Sequence, residues 1–209
     1  MSDVVIFGSS HVKRLDNFII ANPFLNNFRL QKFRITFHGI SGGRINNPQD
    51  ILEFEHLIQT HNPRFVFVHL GGGTILDQKN NTWEDVEEII LRWINILHLF
   101  SRRYSVTIAA CQLLFRERIR HIDPVLYNNF VLKANKLLKA ELAKLDNITY
   151  WNLKGFNKGQ SSRHLLGRYA FKLEKWISQK QIRGYCISIL MLQQGIIRTE
   201  KLNVQYVVS

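Results

Sequence analysis

The sequence predicts an α/β protein in which helices cover both sides of a five-stranded parallel sheet, a three-layer α/β/α architecture. Strand-like and helix-like segments alternate along the chain, which is the pattern of β-α-β crossover units. Residues 65–70 form a continuous apolar run, typical of a parallel strand covered on both faces. Glycine-rich turns follow several strands, at the sheet edge where such folds bind ligands.

Five segments have strand character. The first, residues 4–7, is a β-branched and aromatic run that breaks at Gly8. The second alternates apolar and polar residues over 30–37 and stops at a glycine-rich turn. The other three predicted strands are 65–70, 105–111 and 148–151.

The segments between the strands are predicted helices, because their apolar residues recur at helical spacing. Asn47-Pro48 opens the second helix, Thr82 and Asp85 form a capping box at the third, and Pro124 begins the fourth. The predicted helices cover about 14–20, 48–61, 82–97, 124–145 and 164–180.

Composition favours one buried core. The chain has 209 residues with 45% hydrophobic content, so we expect a single domain over 1–180 and a C-terminal extension of unassigned role over 181–209. The two cysteines, Cys111 and Cys186, show neither a disulfide framework nor metal-ligand spacing, and Cys111 is expected to be a buried thiol. No metal site and no cofactor are predicted. The first strand begins almost at once and no apolar run could span a bilayer, so we expect a cytoplasmic protein.

The net charge of +12 is the one unusual feature of the composition. A surface of this sign attracts nucleic acid without sequence preference. However, the sequence contains no zinc-finger spacing, no aromatic RNA-binding motif and no sustained basic helix. Non-specific nucleic-acid binding therefore stays an alternative to be weighed against the motifs below.

The turn after the first strand exposes a serine. The strand breaks at Gly8 into Ser9, Ser10 and His11 before a helix starts, so the Ser10 hydroxyl is expected at the carboxyl edge of the sheet. Backbone N–H groups of a first helical turn can stabilise an anion there. The simpler interpretation is that Ser9 or Ser10 only caps the helix.

Later strand ends supply the other groups that acyl transfer needs. Gly42, after the second strand, offers a backbone N–H that a substrate can approach closely. His164, beyond the fifth strand, could take a proton from a serine near neutral pH. Nucleophile, oxyanion donor and base together form the chemistry of a serine hydrolase. Of the remaining histidines, His11 is expected to pack near the turn, and His38 and His69 to be core residues.

Four segments together resemble the sequence blocks of the SGNH or GDSL-type hydrolases: FGSSH at 7–11, GISG at 39–42, LGGGT at 70–74 and SSRHL at 161–165. The resemblance covers residues 4–177 and implies a flavodoxin-like SGNH hydrolase fold that acts on a small ester or acylated substrate. It places Ser10 as nucleophile and His164 as base. It also implies an oxyanion hole made by Ser10, Gly42 and the position of Gly73.

The sequence departs from the family pattern at three positions. Ser9 replaces the usual aspartate of the first block, Gly73 stands where an asparagine is expected, and Ser161 stands where the aspartate that orients the base belongs. Loss of an oxyanion donor typically costs about 10² to 10³ in rate. Loss of the orienting acid costs about 10⁴, although Ser161, a backbone carbonyl or Asp123 could take its place.

Two functions remain open from the sequence. One is a serine esterase with an impaired or altered site. The other is an inactive protein of the same fold that binds a partner, with nucleic acid as one candidate through the basic surface. The sequence does not indicate the oligomeric state.

Overall fold

Five strands and four helices alternate along the described part of the chain, which is residues 3–21, 23, 33–72, 82–116, 119 and 122–152 of the computed structural model. The elements are β1 (Val4–Gly8), α1 (Ser10–Ile20), β2 (Ile35–Gly39), α2 (Pro48–His61), β3 (Phe65–His69), α3 (Trp83–Arg103), β4 (Thr107–Cys111), α4 (Pro124–Leu142) and β5 (Ile148–Trp151).

The strands form one sheet in the order β2-β1-β3-β4-β5, and every neighbouring pair is parallel. This is the flavodoxin-like order, so the predicted α/β architecture with a five-stranded parallel sheet is confirmed. Strand β1 lies inside the sheet, with Gly8 paired to Gly39 on one side and to His69 on the other. The chain leaves β1 toward β2 and later crosses to β3, which makes the carboxyl end of β1 and β3 the topological switch point where ligands bind in open α/β sheets.

Helices lie on both faces of the sheet. On one face, α2, α3 and α4 contribute buried side chains to a core cluster that includes Val5 and Phe7 of β1. On the other, α1 packs against β1 and β2 through Val12, Leu15 and Ile19, which are buried at helical spacing and lie outside that cluster. The core cluster also contains Phe54, Leu57, Ile58, Val66, Val68, Ile90, Trp93, Leu97, Ile108, Phe130, Val131, Ala134, Leu138 and Ile148.

Most predicted elements are confirmed, but several ends differ: α3 continues to Arg103, β4 begins at Thr107 and α4 ends at Leu142. The capping box of Thr82 and Asp85 is present, and α2 and β5 have the expected bounds. Helix α1 begins at Ser10 instead of near residue 14, because its first turn carries one buried apolar residue and so shows little periodicity. Strand β2 is Ile35–Gly39, later than predicted, because its pairing with β1 sets its bounds.

The described residues fall within one compact unit, Met1–Gly159. The boundary expected between residues 180 and 181 lies outside the described residues and stays a prediction. None of the helices in the described ranges is both long and apolar enough to cross a bilayer. Those ranges also contain no group of three or more His, Cys, Asp or Glu side chains placed to hold a metal ion.

Candidate active site

The turn between β1 and α1 is tight because two other elements crowd it. A Cβ atom on Gly8 would lie 2.4 Å from the His69 carbonyl oxygen and 2.6 Å from a Val12 methyl carbon, so only glycine fits there. The Ser9 N–H donates to the same His69 carbonyl at 2.9 Å. These contacts hold the start of α1 directly above the junction of β1 and β3.

Ser10 is the first residue of α1, and Ser9 is the residue that precedes the helix. The Ser9 backbone is extended, with φ −77° and ψ −166°, and its side chain makes no capping hydrogen bond. The helix start is instead closed by the backbone, since the Val12 N–H donates to the Ser9 carbonyl at 2.9 Å. The interpretation of this serine pair as a side-chain cap therefore has no support at Ser9, and Ser10 is partly exposed at the carboxyl edge.

The loop after β2 carries Gly42 beside this turn. The Ile40 N–H donates to the Gly8 carbonyl at 2.8 Å, which joins the loop to the end of β1. Gly42 has a φ of +77°, a left-handed conformation that favours glycine, and a Cβ there would meet no atom within 4 Å. Its backbone is exposed on an open side of the loop. The ammonium of Lys13 donates to the Ser41 hydroxyl at 3.5 Å and connects the same loop to α1.

The loops after β2 and β3 are packed against each other. A Cβ on Gly43 would lie 2.9 Å from a Leu70 methyl carbon, and a Cβ on Gly71 would lie 2.9 Å from a methyl carbon of the buried Ile45. The buried carboxylate of Asp50 accepts from the Arg44 N–H at 2.6 Å. The loop that carries Gly42 is thus held in place by packing and by a buried hydrogen bond.

The loop after β4 is held by two asparagines of α4. Asn135 accepts from the Leu113 N–H at 2.7 Å and donates to the Leu113 carbonyl at 2.9 Å. Asn128 makes the same pair of bonds with the backbone of Arg116, both at 3.1 Å. Each side-chain amide thus both donates to and accepts from the backbone of one loop residue, which is the hydrogen bonding that a neighbouring β-strand would provide.

Tyr127 joins this loop to the one after β3. Its fully buried side chain donates a hydrogen bond to the Gly72 carbonyl and lies 3.3 Å from the Leu114 carbonyl. The sequence analysis missed Tyr127, Asn128 and Asn135. The available signal was two asparagines seven residues apart beside the apolar stripe of α4, a spacing that puts both side chains on one helix face.

Two histidines meet beside the turn of Ser9 and Ser10 between β1 and α1, which we call the serine turn. The rings of His11 and His69 make an edge-on contact with centroids 5.3 Å apart, so His11 packs as expected and His69 is a buried residue. Burial, with smaller effects of the positive charges of Arg14 and Arg116, lowers the pKa of His11 to about 4. Burial, with a smaller effect of His11, lowers the pKa of His69 to about 3. Both rings are therefore neutral at neutral pH.

These histidines border a small cavity of about 20 Å³, which is enough for one water molecule or the terminal atoms of a bound group. The cavity lies at the switch point of the sheet, because its lining comes from the turns after β1, β3 and β4. The lining residues are Ser9, His11, His69, Leu70, Gly72, Leu114 and Arg116.

His38 belongs to a separate structural pair. Its Nε2 lies 2.6 Å from a carboxylate oxygen of Glu53 on α2, and its ring stacks on Phe7 with centroids 5.8 Å apart. These partners satisfy the His38 ring, but its side chain is 33% exposed, so it is a half-buried residue and not the core residue expected from the sequence.

Two of the five predicted site residues can be located. Ser10 and Gly42 lie on the turns after adjacent strands β1 and β2, at the same edge of the sheet. Gly73, Ser161 and His164 lie outside the described residues, so their assigned roles stay predictions.

Solved structures of low sequence identity share this architecture. A proposed acylhydrolase from Bacteroides fragilis superimposes with a TM-score of 0.59 at 14% identity, covering 86% of this chain and 88% of that one. A GDSL-like lipase from Bacteroides thetaiotaomicron gives 0.54 at 13% identity, covering 85% and 88%. A mutant acetyl-xylooligosaccharide esterase from Geobacillus stearothermophilus gives 0.54 at 13% identity, covering 88% and 97%.

The chain has the SGNH hydrolase fold. No protein-family model and no curated protein sequence matches it. The structural superpositions, with TM-scores of 0.54–0.59, establish the fold alone, since the reaction depends on the side chains at the site. In this SGNH fold the serine turn and the Gly42 loop lie together at the ligand-binding edge of the sheet.

Proposed function

We propose that this protein hydrolyses acyl esters with Ser10 as the nucleophile. The observation that carries the proposal is the position of Ser10: the first residue of α1, at the carboxyl end of the internal strand β1, beside the exposed loop of Gly42. The SGNH fold supports this proposal, since the similar structures include a lipase and an esterase by name.

The backbone provides the proposed oxyanion hole. The Ser10 N–H lies in the first turn of α1, where the helix dipole favours negative charge. The exposed loop around Gly42 is positioned by its contacts with β1 and β3. We assign the amides of Ser10 and Gly42 to the oxygen that becomes negative when the ester carbonyl is attacked.

His164 is the proposed base. Among the histidines near the serine turn, His11 and His69 have lowered pKa values, which makes them weak proton acceptors, and His38 is bound to Glu53. His164 is the histidine that the resemblance to SGNH hydrolases assigns to this role. It takes the Ser10 proton as the hydroxyl oxygen bonds to the acyl carbon, and returns that proton to the departing alkoxide. Water then releases the acid from the acyl-serine by the same proton transfers in reverse.

The reaction needs no metal or cofactor, but we expect it to be slow. Gly73 supplies no side-chain donor where the family pattern has asparagine, which typically costs about 10² to 10³ in rate. Ser161, at the position of the orienting acid, can accept a hydrogen bond from His164 but carries no charge. A wrongly oriented imidazole costs up to about 10⁴.

The test is hydrolysis of 4-nitrophenyl acetate and butyrate by the full chain. We expect measurable kcat/KM, reduced by at least about 10³-fold in Ser10→Ala and His164→Ala. The matched controls are Ser105→Ala, at the turn after α3, and His98→Ala, within α3, and both should retain activity because they lie on elements away from the serine turn. Equal activity in Ser10→Ala and the wild type would contradict the proposal.

A further inference from the structure

We propose that the outward side of helix α4 binds the surface of an anionic lipid bilayer. Six exposed residues of this side carry the argument, and together they are called the α4 face: Val125, Leu126, Leu132, Lys133, Lys136 and Lys139. The proposal concerns binding alone, so it does not depend on ester hydrolysis.

The burial pattern of α4 shows which way this face points. Residues four or seven apart lie on the same side of a helix. Val125 and Leu132 are seven apart and Lys136 follows four residues later, and all three are exposed. The opposite side of the helix packs into the core through Tyr127, Phe130, Val131, Ala134, Leu138 and Leu142. The α4 face is therefore turned away from the sheet.

Three large apolar side chains are exposed on the α4 face. Val125 is 68% exposed, Leu126 44% and Leu132 42%. Single exposed apolar residues are ordinary, but these three lie within two helical turns and beside lysines. Val125 and Leu126 belong to the first turn of the helix that follows β4, so they lie toward the carboxyl edge of the sheet, the edge that carries Ser10.

The charge of the α4 face is positive only. Lys133, Lys136 and Lys139 follow one another at intervals of three, and no aspartate or glutamate occurs over 124–140. Within the described part of the chain, no carboxylate lies within 4 Å of these ammonium groups. The Lys133 ammonium lies 5.1 Å from the centroid of the Trp83 ring, which leaves its charge uncompensated.

Neighbouring charged residues have partners of their own. On α3, Arg92 pairs with Glu88 at 2.6 Å and Arg103 with Glu55 at 2.7 Å. The Asp123 carboxylate, just before α4, accepts from two backbone N–H groups of the first turn and so caps the helix. The exposed lysines of α4 thus remain available to an anionic partner.

An anionic bilayer matches both properties of the α4 face. Lipid phosphates attract lysines near the membrane surface, by about fivefold in affinity for each lysine. The boundary between headgroups and acyl chains takes up exposed apolar side chains such as those of the first turn. A polynucleotide would attract the lysines too, but it offers no apolar layer, and these six residues include no aromatic ring on which bases could stack.

The test is co-sedimentation of the full chain carrying Ser10→Ala with lipid vesicles. One set of vesicles contains phosphatidylglycerol and phosphatidylcholine in equal amounts, and the other contains phosphatidylcholine alone. We expect binding to the anionic vesicles to be at least about 10-fold tighter. Absence of binding to the anionic vesicles overturns the proposal.

A charge variant tests the lysines. Binding to anionic vesicles should weaken by at least about 10-fold when three residues are changed together: Lys133→Gln, Lys136→Gln and Lys139→Gln. A matched control removes the same number of charges from exposed positions of α3 and should bind within about 3-fold of the parent: Arg92→Gln, Arg102→Gln and Arg103→Gln.

An apolar variant tests the first turn. Val125→Ser with Leu126→Ser should weaken binding by about 5-fold, because less apolar surface enters the bilayer. Leu91→Ser with Leu99→Ser is the control, since both leucines are exposed on α3, and should leave binding unchanged. Thermal midpoints close to that of the parent show that the variants are folded.

The outcomes separate this proposal from its alternatives. Weaker vesicle binding in both α4 variants supports it, and unchanged binding in either one overturns it. Polyuridylic acid is the competing ligand: binding of it that depends on the three lysines, in a protein that does not bind vesicles, assigns the α4 face to nucleic acid and also overturns the proposal. Because the protein carries Ser10→Ala, these results stand whether or not the wild type hydrolyses esters.

Discussion

The imidazole rings of His11 and His69 meet edge-on beneath the serine turn, with centroids 5.3 Å apart. One ring comes from the start of α1 and the other from the end of β3. Burial removes the water that would hydrate a protonated ring. This is the main reason why the pKa of His11 falls to about 4 and that of His69 to about 3. The start of the helix that carries Ser10 therefore meets the end of β3 through two neutral histidines.

This packing predicts acid-sensitive stability. Both pKa values are below the ordinary 6.5 of an unfolded histidine, so the unfolded chain binds more protons as pH falls below about 6.5. For each ring, the unfolding free energy should fall by up to about 2 kcal/mol when the pH is lowered from 7 to 5. Urea unfolding at the two pH values measures this loss. In His11→Phe the loss of stability should be about half as large. An unchanged loss would contradict the contribution of His11 to the acid sensitivity.

The two hydrogen bonds between the Asn135 side chain and the Leu113 backbone predict a stability effect at a position with no catalytic role. Asn135→Ala leaves the N–H and carbonyl of the buried Leu113 without their partner, which should cost about 2 to 4 kcal/mol in unfolding free energy. Asn129→Ala is the matched control on the same helix, because Asn129 is exposed, and should change stability by less than about 0.5 kcal/mol. Chemical denaturation of the two variants makes the comparison. Similar midpoints would show that the Asn135–Leu113 hydrogen bonds do not stabilise the fold.

The close approach of α1 to β2 predicts a strong glycine requirement at Gly39. A Cβ there would lie 2.2 Å from the Lys13 backbone nitrogen, so α1 would have to move. Gly39→Ala should cost about 3 kcal/mol or more, or prevent folding. In Gly72→Ala the nearest contact is an ordinary 3.7 Å, and the variant should fold. The amount of folded protein and its thermal midpoint are compared for the two variants. Equal stability would show that α1 can move away from β2 at little cost.

Local patterns were sufficient to predict much of the fold. Strand β5 and helix α2 have the predicted bounds because their limits are set by nearby residues, such as Asn47 and Pro48 at the start of α2. The capping box of Thr82 and Asp85 is likewise a contact between residues three apart. The internal position of β1, and with it the placement of Ser10, follows from the general order of such sheets.

Contacts between distant residues could not be predicted this way. The end of β2 at Gly39 depends on its pairing with Gly8 of β1, and the need for glycine there depends on Lys13 of α1. The roles of Asn128 and Asn135 depend on a loop that reaches α4 only in the folded chain. The same limit applies to Arg116: its sequence neighbours show a basic loop, whereas its place beside the serine turn is a result of the fold.

Labelling of the full chain with a serine-directed fluorophosphonate probe tests the central claim most directly. The account predicts one adduct, located at Ser10 by mass spectrometry, with labelling lost in Ser10→Ala and strongly reduced in His164→Ala. Failure of the wild type to react, or labelling that persists in Ser10→Ala, would contradict it. Such a result, together with polynucleotide binding that weakens steeply with salt, would favour a binding protein that has kept the SGNH fold.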